Sequence, residues 1–313
     1  MPHDYLHGHK DFPELLRIVS RETGVPLPLV EKDYWIMHCL YGLQQCGFQF
    51  ELKGGTSLSK GWGIIERFSE DLDIRIEPPK GMAVSAGKNQ DKPAHIESRH
   101  KYYDWLSSTI SINGIHTVQR DAEYDDVKYR SGGIRLRYKE LTDEKVPLKD
   151  GVLLEVGFDI VTPNRPIDIS SWAYDYAAGK VPVIDNRALA VKCYEPGYTL
   201  VEKLHAISKK YRLQQETGLF PVNFIRHYYD VYSLLGNPVV QSFIGTAEYL
   251  AHKNSRFGTQ NQNLAENPAF SLADTATFKA YEDAYEKGLV LYYRDRPSFS
   301  DIMKRIREYA AKL

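Results

Sequence analysis

Among its 313 residues the sequence has only three cysteines, Cys39, Cys46 and Cys193. They are odd in number, have no C-x-x-C spacing and are too few to staple a chain of this length, which points to a reducing compartment. No run approaches the roughly 18 apolar residues of a membrane span. The first eleven residues have no apolar core like that of a signal peptide, and His3, His7 and His9 read as a scattered, mobile terminus rather than a zinc site. The expectation is a cytoplasmic protein with no membrane contact. An excess of one charge is also missing: 40 Lys+Arg face 41 Asp+Glu, for a formal charge of -1. That balance excludes a uniformly basic nucleic-acid coat, so any contact with a polyanion has to come from a local groove. There is no internal repeat and no low-complexity tract. What is present is ordinary globular composition, 42% hydrophobic and 26% charged, in a chain long enough for two domains or one large one.

From Pro13 to Leu43 apolar residues recur at three- and four-residue steps, as two helices broken at Gly24-Val25-Pro26 require. Phe48 to Lys53 alternates like a short strand and stops at Gly54-Gly55, after which Leu58, Trp62 and Ile65 mark the stripe of a helix. Asp71 to Ile76 alternates again. Glu77 to Lys92 has no period and reads as a long loop, functional or mobile, and a helix follows near Ser98 to Asn113. Strands are expected at Ile115–Arg120, Asp126–Tyr129, Ile134–Lys139 and Val152–Ile160, with Gly132-Gly133 as a hairpin turn. After about Asp185 the pattern turns helical through to Tyr309, with an Asn/Gln-rich loop at Ser255–Pro268. The expected architecture is α/β (α+β), a mixed sheet with flanking helices followed by a C-terminal helical bundle, divided into residues 1–190 and 191–313.

The chemistry concentrates in two segments, Lys53-Gly54-Gly55-Thr56-Ser57-Leu58-Ser59-Lys60 and Arg67-Phe68-Ser69-Glu70-Asp71-Leu72-Asp73-Ile74. Two glycines between a strand and a helix let the backbone approach a ligand closely. The unpaired N–H groups at the helix start, with the Thr56 and Ser57 hydroxyls, suit a phosphate. This is no Walker A loop, because no Gly-Lys-[Ser/Thr] closes it, and alone the turn is ordinary strand-to-helix geometry. Asp71 and Asp73, two apart on a strand, leave the same face while Leu72, Ile74 and Ile76 turn to the core. Carboxylates so placed repel each other. Either the face is simply solvated, or a hard divalent cation that also bridges substrate phosphates relieves the repulsion.

In this order and spacing the two segments resemble the nucleotidyltransferase superfamily that includes DNA polymerase β. Within it they resemble the AbiEii-like toxins of bacterial abortive-infection and toxin–antitoxin systems, whose signatures are a Gly-Gly-[Thr/Ser] turn and an Arg-Phe-Ser-x-Asp-[Leu/Ile]-Asp strand. Glu31-Lys32-Asp33-Tyr34-Trp35 is similar to the helix that precedes the turn in that family. The match is firm over roughly residues 28–80, looser through 130–235, and not extended to the final helices. The helix between turn and strand is expected to be longer here than in polymerase-like relatives.

The resemblance implies a nucleotidyltransferase-like fold, NTP as substrate and Mg²⁺ as cofactor. It places the nucleotide at Gly54, Gly55, Thr56, Ser57 and Lys60, and the metal at Asp71 and Asp73 with a third carboxylate at Glu155, Asp159 being the alternative on the same strand face. Ser69 reads equally as a structural hydroxyl or a phosphate contact. Lys203 is implied to neutralise the leaving pyrophosphate, and Asp230 or Glu155 to orient or deprotonate the acceptor hydroxyl. A plain helix-surface pair of Arg226 with Asp230 is the competing reading. His227 and Tyr228 stand where relatives are often basic or small. Relatives that add nucleotides to the 3′ end of tRNA make tRNA the implied acceptor and an antitoxin the implied partner. For the RNA backbone the candidates are Arg135, Arg137 and Lys139 on one strand and Lys209, Lys210 and Arg212 beside Tyr211. All of these also read as solvated surface. Nucleotidylation of a protein or small molecule, and NTP binding without transfer, remain the alternatives.

Overall fold

The computed structural model describes residues 4–142, 146–221, 223–258, 263–294 and 296–313. By its contacts the chain divides into a sheet unit, residues 1–61 with 68–194, and a helical unit, residues 62–67 with 195–313.

The sheet unit starts with α1 (Phe12–Thr23) and α2 (Leu27–Gln45). They part where the sequence indicates: Gly24 takes φ 71° as the left-handed C-cap of α1, and Pro26 stands before the first turn of α2. Helix α2 is buried on nearly every side, Glu31, Lys32 and Asp33 included, because it packs on β5 (Val152–Gly157) and β7 (Ala188–Tyr194) with α1 and α5 (Trp172–Ala177) against it. The remaining strands are β1 (Phe50–Lys53), β2 (Asp71–Ile76), β3 (Ile115–Asp121), β4 (Ser131–Tyr138) and β6 (Asn164–Ile169). Together they form one seven-stranded mixed sheet in the order β3-β4-β5-β2-β1-β7-β6. In the middle, β2 pairs antiparallel with β1 and parallel with β5, so its side chains are flanked on both sides. Leu52, Leu72, Ile74, Leu154 and Val156 supply the buried apolar face, and α4 (Pro93–Thr109) adds Tyr102 and Tyr103, whose hydroxyls donate to the Ile76 and Val156 carbonyls.

Several sequence expectations need correction. Gly132 and Gly133 lie inside β4 rather than in a turn. A Cβ on Gly132 would meet the Tyr103 ring at 2.8 Å, and one on Gly133 the Asp121 carbonyl at 2.5 Å, so glycine is there for close packing. Residues 126–129 form part of the connection instead of a strand. The helix after Gly54 is short: one turn, α3 (Gly54–Thr56), runs into a π turn at Ser57–Gly61, and the chain then leaves the sheet unit, so Trp62 and Ile65 are not on it. Strands β6 and β7 lie where no strand was expected. The loop of residues 77–92 is stapled rather than loose: Arg99, fully buried, donates to the Gln90 and Lys128 carbonyls, while Arg130 donates to the Ala86, Gly87, Lys88 and Gln90 carbonyls and to Asp91. His7 is built in as well, bonded to Tyr34 and Asn113 at 2.8 Å each; His3 lies outside the described residues.

The helical unit comprises α6 (Pro196–Thr217), α7 (Arg226–Leu235), α8 (Pro238–Phe243), α9 (Ala247–Phe257), α10 (Pro268–Ser271), α11 (Thr275–Lys287) and α12 (Phe299–Tyr309). Asn237, Thr246, Asn267, Asp274 and Ser298 cap the last five of these through side-chain oxygens. Its core is aromatic: Phe224, Tyr228, Tyr281, Tyr285, Tyr292 and Phe299 meet edge to face or tilted, and Leu204, Ile207, Val231 and Ile302 pack with them as buried residues. Part of the Ser255–Pro268 loop, residues 259–262, lies outside the described residues. The six residues 62–67 join this unit as an irregular segment: Arg67 forms an isolated antiparallel bridge with Tyr292, and the Glu66 N–H donates to the Tyr229 hydroxyl at 3.1 Å. Among the described residues no helix is long and apolar enough to cross a membrane.

Candidate active site

The register of three strands assembles the site of the sheet unit. Asp73 stands opposite Glu155 on β5 and Lys53 on β1, and Asp71 stands opposite Leu153. Residues paired across a ladder share a face, and residues two apart on a strand do too. Asp71, Asp73, Glu155 and Lys53 therefore project from one side of the sheet while Leu72, Ile74 and Val156 fill the other. Three carboxylates on two adjacent strands thus share this sheet face.

The glycine turn is fitted to those carboxylates. Gly54 has φ 72°, and a Cβ there would lie 1.8 Å from Asp73 Oδ2, so both the backbone angle and the space demand glycine. The Thr56 hydroxyl donates to the Asp71 carbonyl at 2.6 Å and locks the turn to β2. That bond uses the hydroxyl proton expected to meet phosphate. Ser57 is likewise turned inward, fully buried beside Cys193, whose thiol burial pushes up to about 11. What the turn presents outward is backbone, the N–H groups of a helix start. Lys60 does not reach toward the carboxylate face either. Its ammonium is 2.9 Å from Asp33 on α2 and 4.6 Å from the centre of the Trp172 ring, so it clamps the π turn to the helix behind it. Burial raises the Asp33 carboxyl despite Lys60, and the Trp172 N–H donates to the same group at 2.8 Å. Ser69, just before β2, is half-buried.

Asp71 is 4% exposed. Its Oδ2 accepts from Lys149 at 2.5 Å, whereas its Oδ1 is buried without a hydrogen-bond partner. An orphaned carboxylate oxygen costs on the order of 1–3 kcal/mol or more, and a bound ion or water is among the partners that relieve it. Asp73 receives no hydrogen bond or ion pair from any described residue. Among the described residues no group of three or more His, Cys, Asp or Glu side chains is gathered as a metal site; the oxygens of Asp71 and Asp73 are nevertheless of the kind a hard divalent cation takes, which commonly binds through one or two carboxylates with substrate phosphates supplying further ligands. Glu155, its side chain 35% exposed, lies 3.7 Å from the Lys149 ammonium. Asp159, the alternative third carboxylate, faces Lys53 at 3.2 Å on a more open edge.

Sequence reasoning missed Lys149 and Glu70. Glu70 is buried and accepts the Lys149 N–H at 2.6 Å. Burial opposes the Lys149 charge, but Asp71 and Glu155 outweigh it and raise its pKa, so the ammonium persists. Only its place directly ahead of the apolar strand Val152–Val156 could have drawn notice to Lys149.

The helical unit carries a second charged centre. Asp230 is fully buried on α7 and is gripped by Arg67 through two bonds, Nε to Oδ1 at 2.6 Å and Nη2 to Oδ2 at 2.8 Å, and by Lys203 of α6 at 2.9 Å. Burial alone would raise its pKa. Arg67 and Lys203 outweigh that and hold the carboxyl far below the usual carboxylate range. A buried carboxylate so committed cannot also take a proton from an acceptor hydroxyl, and Lys203 is engaged with it rather than free for a leaving group. Neighbouring His227 is held neutral by burial and by Lys203.

The expected basic stripe on β4 is also spent internally: Arg135 binds Asp121 at 2.6 Å and the Asp150 carbonyl at 2.8 Å, and Arg137 binds Asp150 at 2.6 Å. Lys139, Lys209 and Arg212 are exposed.

No curated protein and no solved structure matches the chain. A family model described as nucleotidyl transferase AbiEii toxin of a type IV toxin–antitoxin system matches residues 38–305, from the middle of α2 into α12 and across both charged centres. With the turn, the paired aspartates and Arg67 all inside that match, the chain belongs to the AbiEii nucleotidyltransferase toxin family.

Proposed function

We propose that this nucleotidyltransferase transfers NMP from an NTP to the 3′ end of tRNA in the cytoplasm, uses Mg²⁺, and is countered by a cognate antitoxin. The observation that carries the metal and nucleotide reading is that Asp71, Asp73 and Glu155 share one sheet face, with Asp73 Oδ2 against the Gly54 turn and Asp71 Oδ1 buried without a partner among the described residues. In this reading residues 1–190 form the nucleotidyltransferase domain and residues 191–313 the helical domain, with residues 62–67 counted in the latter.

Asp71 and Asp73, with Glu155 as the third ligand, would hold the cation. When bound, such an ion screens the charge of the phosphate oxygens and of the departing pyrophosphate. The Gly54-Gly55 backbone receives the triphosphate, which the absence of side chains allows to come within hydrogen-bond reach of the N–H groups. Thr56, Ser57 and Lys60 hold the turn in shape from behind, and Ser69 leads the chain into the aspartate strand. Glu155 is the carboxylate that accepts the proton of the acceptor hydroxyl; the acceptor's oxygen then bonds to the α-phosphorus as the bond to pyrophosphate breaks. Asp230 and Lys203 act as positioning residues within the helical unit. The tRNA acceptor rests on the family resemblance; among the described residues Lys209 and Arg212 on α6 are exposed cations of the type that binds phosphate.

The test incubates purified protein with each α-³²P NTP, Mg²⁺ and total bacterial RNA, beside an Asp71→Ala control. Label in tRNA-sized RNA that is absent from the control is the expected result. Label in protein or in a small molecule would move the acceptor, and tight NTP binding with no pyrophosphate released would overturn transfer altogether.

A further inference from the structure

Lys149 stands at the point where the carboxylate face most needs positive charge. Its ammonium lies 2.5 Å from Asp71 Oδ2 and 3.7 Å from Glu155 Oε1, bridging two of the three carboxylates. Its main chain is fixed from both sides. The N–H is held by Glu70 at 2.6 Å, and the carbonyl accepts from the Lys32 ammonium. Lys32 is 1% exposed and Glu70 6% exposed. Placing two charges in the interior to hold one loop peptide carries a desolvation cost, which makes sense only if the position of that peptide matters. The Tyr124 ring, 4.8 Å from the ammonium, supports the side chain from another direction. Even so, the neutralisation is incomplete: among the described residues Asp71 Oδ1 has no donor and Asp73 has no cation.

We propose that Lys149 is an internal counter-ion that holds the carboxylates together in the metal-free protein and is displaced when a divalent cation binds, so that cation affinity is set by competition with this side chain. The inference rests on reading Asp71, Asp73 and Glu155 as cation ligands. A lysine anchored by its backbone and holding the carboxylates only through the end of a long side chain is suited to this task. It spares the fold three adjacent unscreened carboxylates, and its ammonium offers only hydrogen bonds at Asp71 Oδ2, where a dication offers direct coordination.

The experiment measures Mn²⁺ binding to the full chain by electron paramagnetic resonance and by calorimetry, in the absence of nucleotide. Lys149→Met is expected to bind Mn²⁺ about tenfold more tightly than wild type, because the competing charge is gone. Its metal-free Tm is expected to fall, and the rise in Tm on adding Mn²⁺ to grow. Lys149→Arg, which keeps the charge and serves if the Met variant does not fold, is expected to bind Mn²⁺ no more tightly than wild type. Equal or weaker Mn²⁺ binding by Lys149→Met, with wild type binding normally and Asp71→Asn not, would overturn the counter-ion role and leave the metal reading standing. Absence of Mn²⁺ binding in wild type, Lys149→Met and Asp71→Asn alike would overturn both.

Discussion

Replacing Arg67 with methionine isolates the charged centre of the helical unit. Asp230 has no exposed surface and is neutralised by one bidentate guanidinium and one ammonium. Removing one partner of a buried pair costs about 3–5 kcal/mol, because the remaining charge is left without water. Lys203 stays at 2.9 Å and shares the load, so the cost here falls near the lower end, about 3 kcal/mol. With a urea dependence of about 1–3 kcal/mol per molar, the unfolding midpoint by circular dichroism moves down by about 1 M or more. Arg67→Lys keeps the charge but loses the fork and falls between the two proteins. The combination Arg67→Met, Lys203→Met, Asp230→Leu removes every charge of the centre and recovers most of the loss, since apolar groups of similar volume replace buried ion clusters at little cost. An Arg67→Met protein whose midpoint stays within about 0.3 M of wild type would refute the account of Asp230 as a charge sustained by Arg67.

The same centre has a pH signature. The Asp230 carboxyl is depressed in the folded state, so its stabilisation is complete above its unfolded pKa near 4 and is lost as pH falls from there toward the folded value. Wild type should lose urea resistance more steeply than Asp230→Asn as pH drops below about 5, and parallel curves would contradict it. Gly54→Ala places a methyl 1.8 Å from Asp73 Oδ2 at φ 72°; transfer should fall by about a hundredfold or more in the labelled-nucleotide assay, for a stability loss of about 1–2 kcal/mol in urea. Glu155→Gln should retain the wild-type unfolding midpoint while kcat drops by about 10²- to 10⁴-fold, and a full-speed variant would remove Glu155 from the proton path. Lys60→Met should cost about 3 kcal/mol by stranding buried Asp33, with partial recovery in Lys60→Met/Asp33→Asn, both read from urea titrations.

The glycine turn and the paired aspartates were legible in the sequence because both depend on local rules, a two-residue strand period and a turn that needs φ above zero. The carboxylate set itself is a matter of register. That Asp73 faces Glu155 follows from parallel pairing of strands far apart in the chain, and nothing near either residue announces it. Arg67 belongs to the recognisable segment, yet its partner lies 163 positions away, which no spacing rule reaches. Strand β6 escaped because it is a polar edge strand with Pro166 inside it, and β7 because Ala190 at φ 50° and the shifted pairing near Ile167–Ile169 spoil its alternation. The Gly132-Gly133 pair misled for a related reason: adjacent glycines mark either a turn or a place where something packs closely, and the Tyr103 ring that decides between them comes from α4. Lys60 and Thr56 have the chemistry of phosphate ligands, and only the positions of Asp33 and the Asp71 carbonyl reveal that both are occupied.

Because residues 62–67 belong to the helical unit while their flanks belong to the sheet unit, no single cut separates the two. A gene fragment encoding residues 195–313 would make seven helices without Arg67, leaving Asp230 to Lys203 alone. Such a fragment needs the hexapeptide supplied in trans or grafted beside Tyr292 before it can serve as a free-standing domain, whether for crystallography or in a recombined gene. Cutting the gene at the apparent boundary thus parts Asp230 from the arginine encoded on the other side of it.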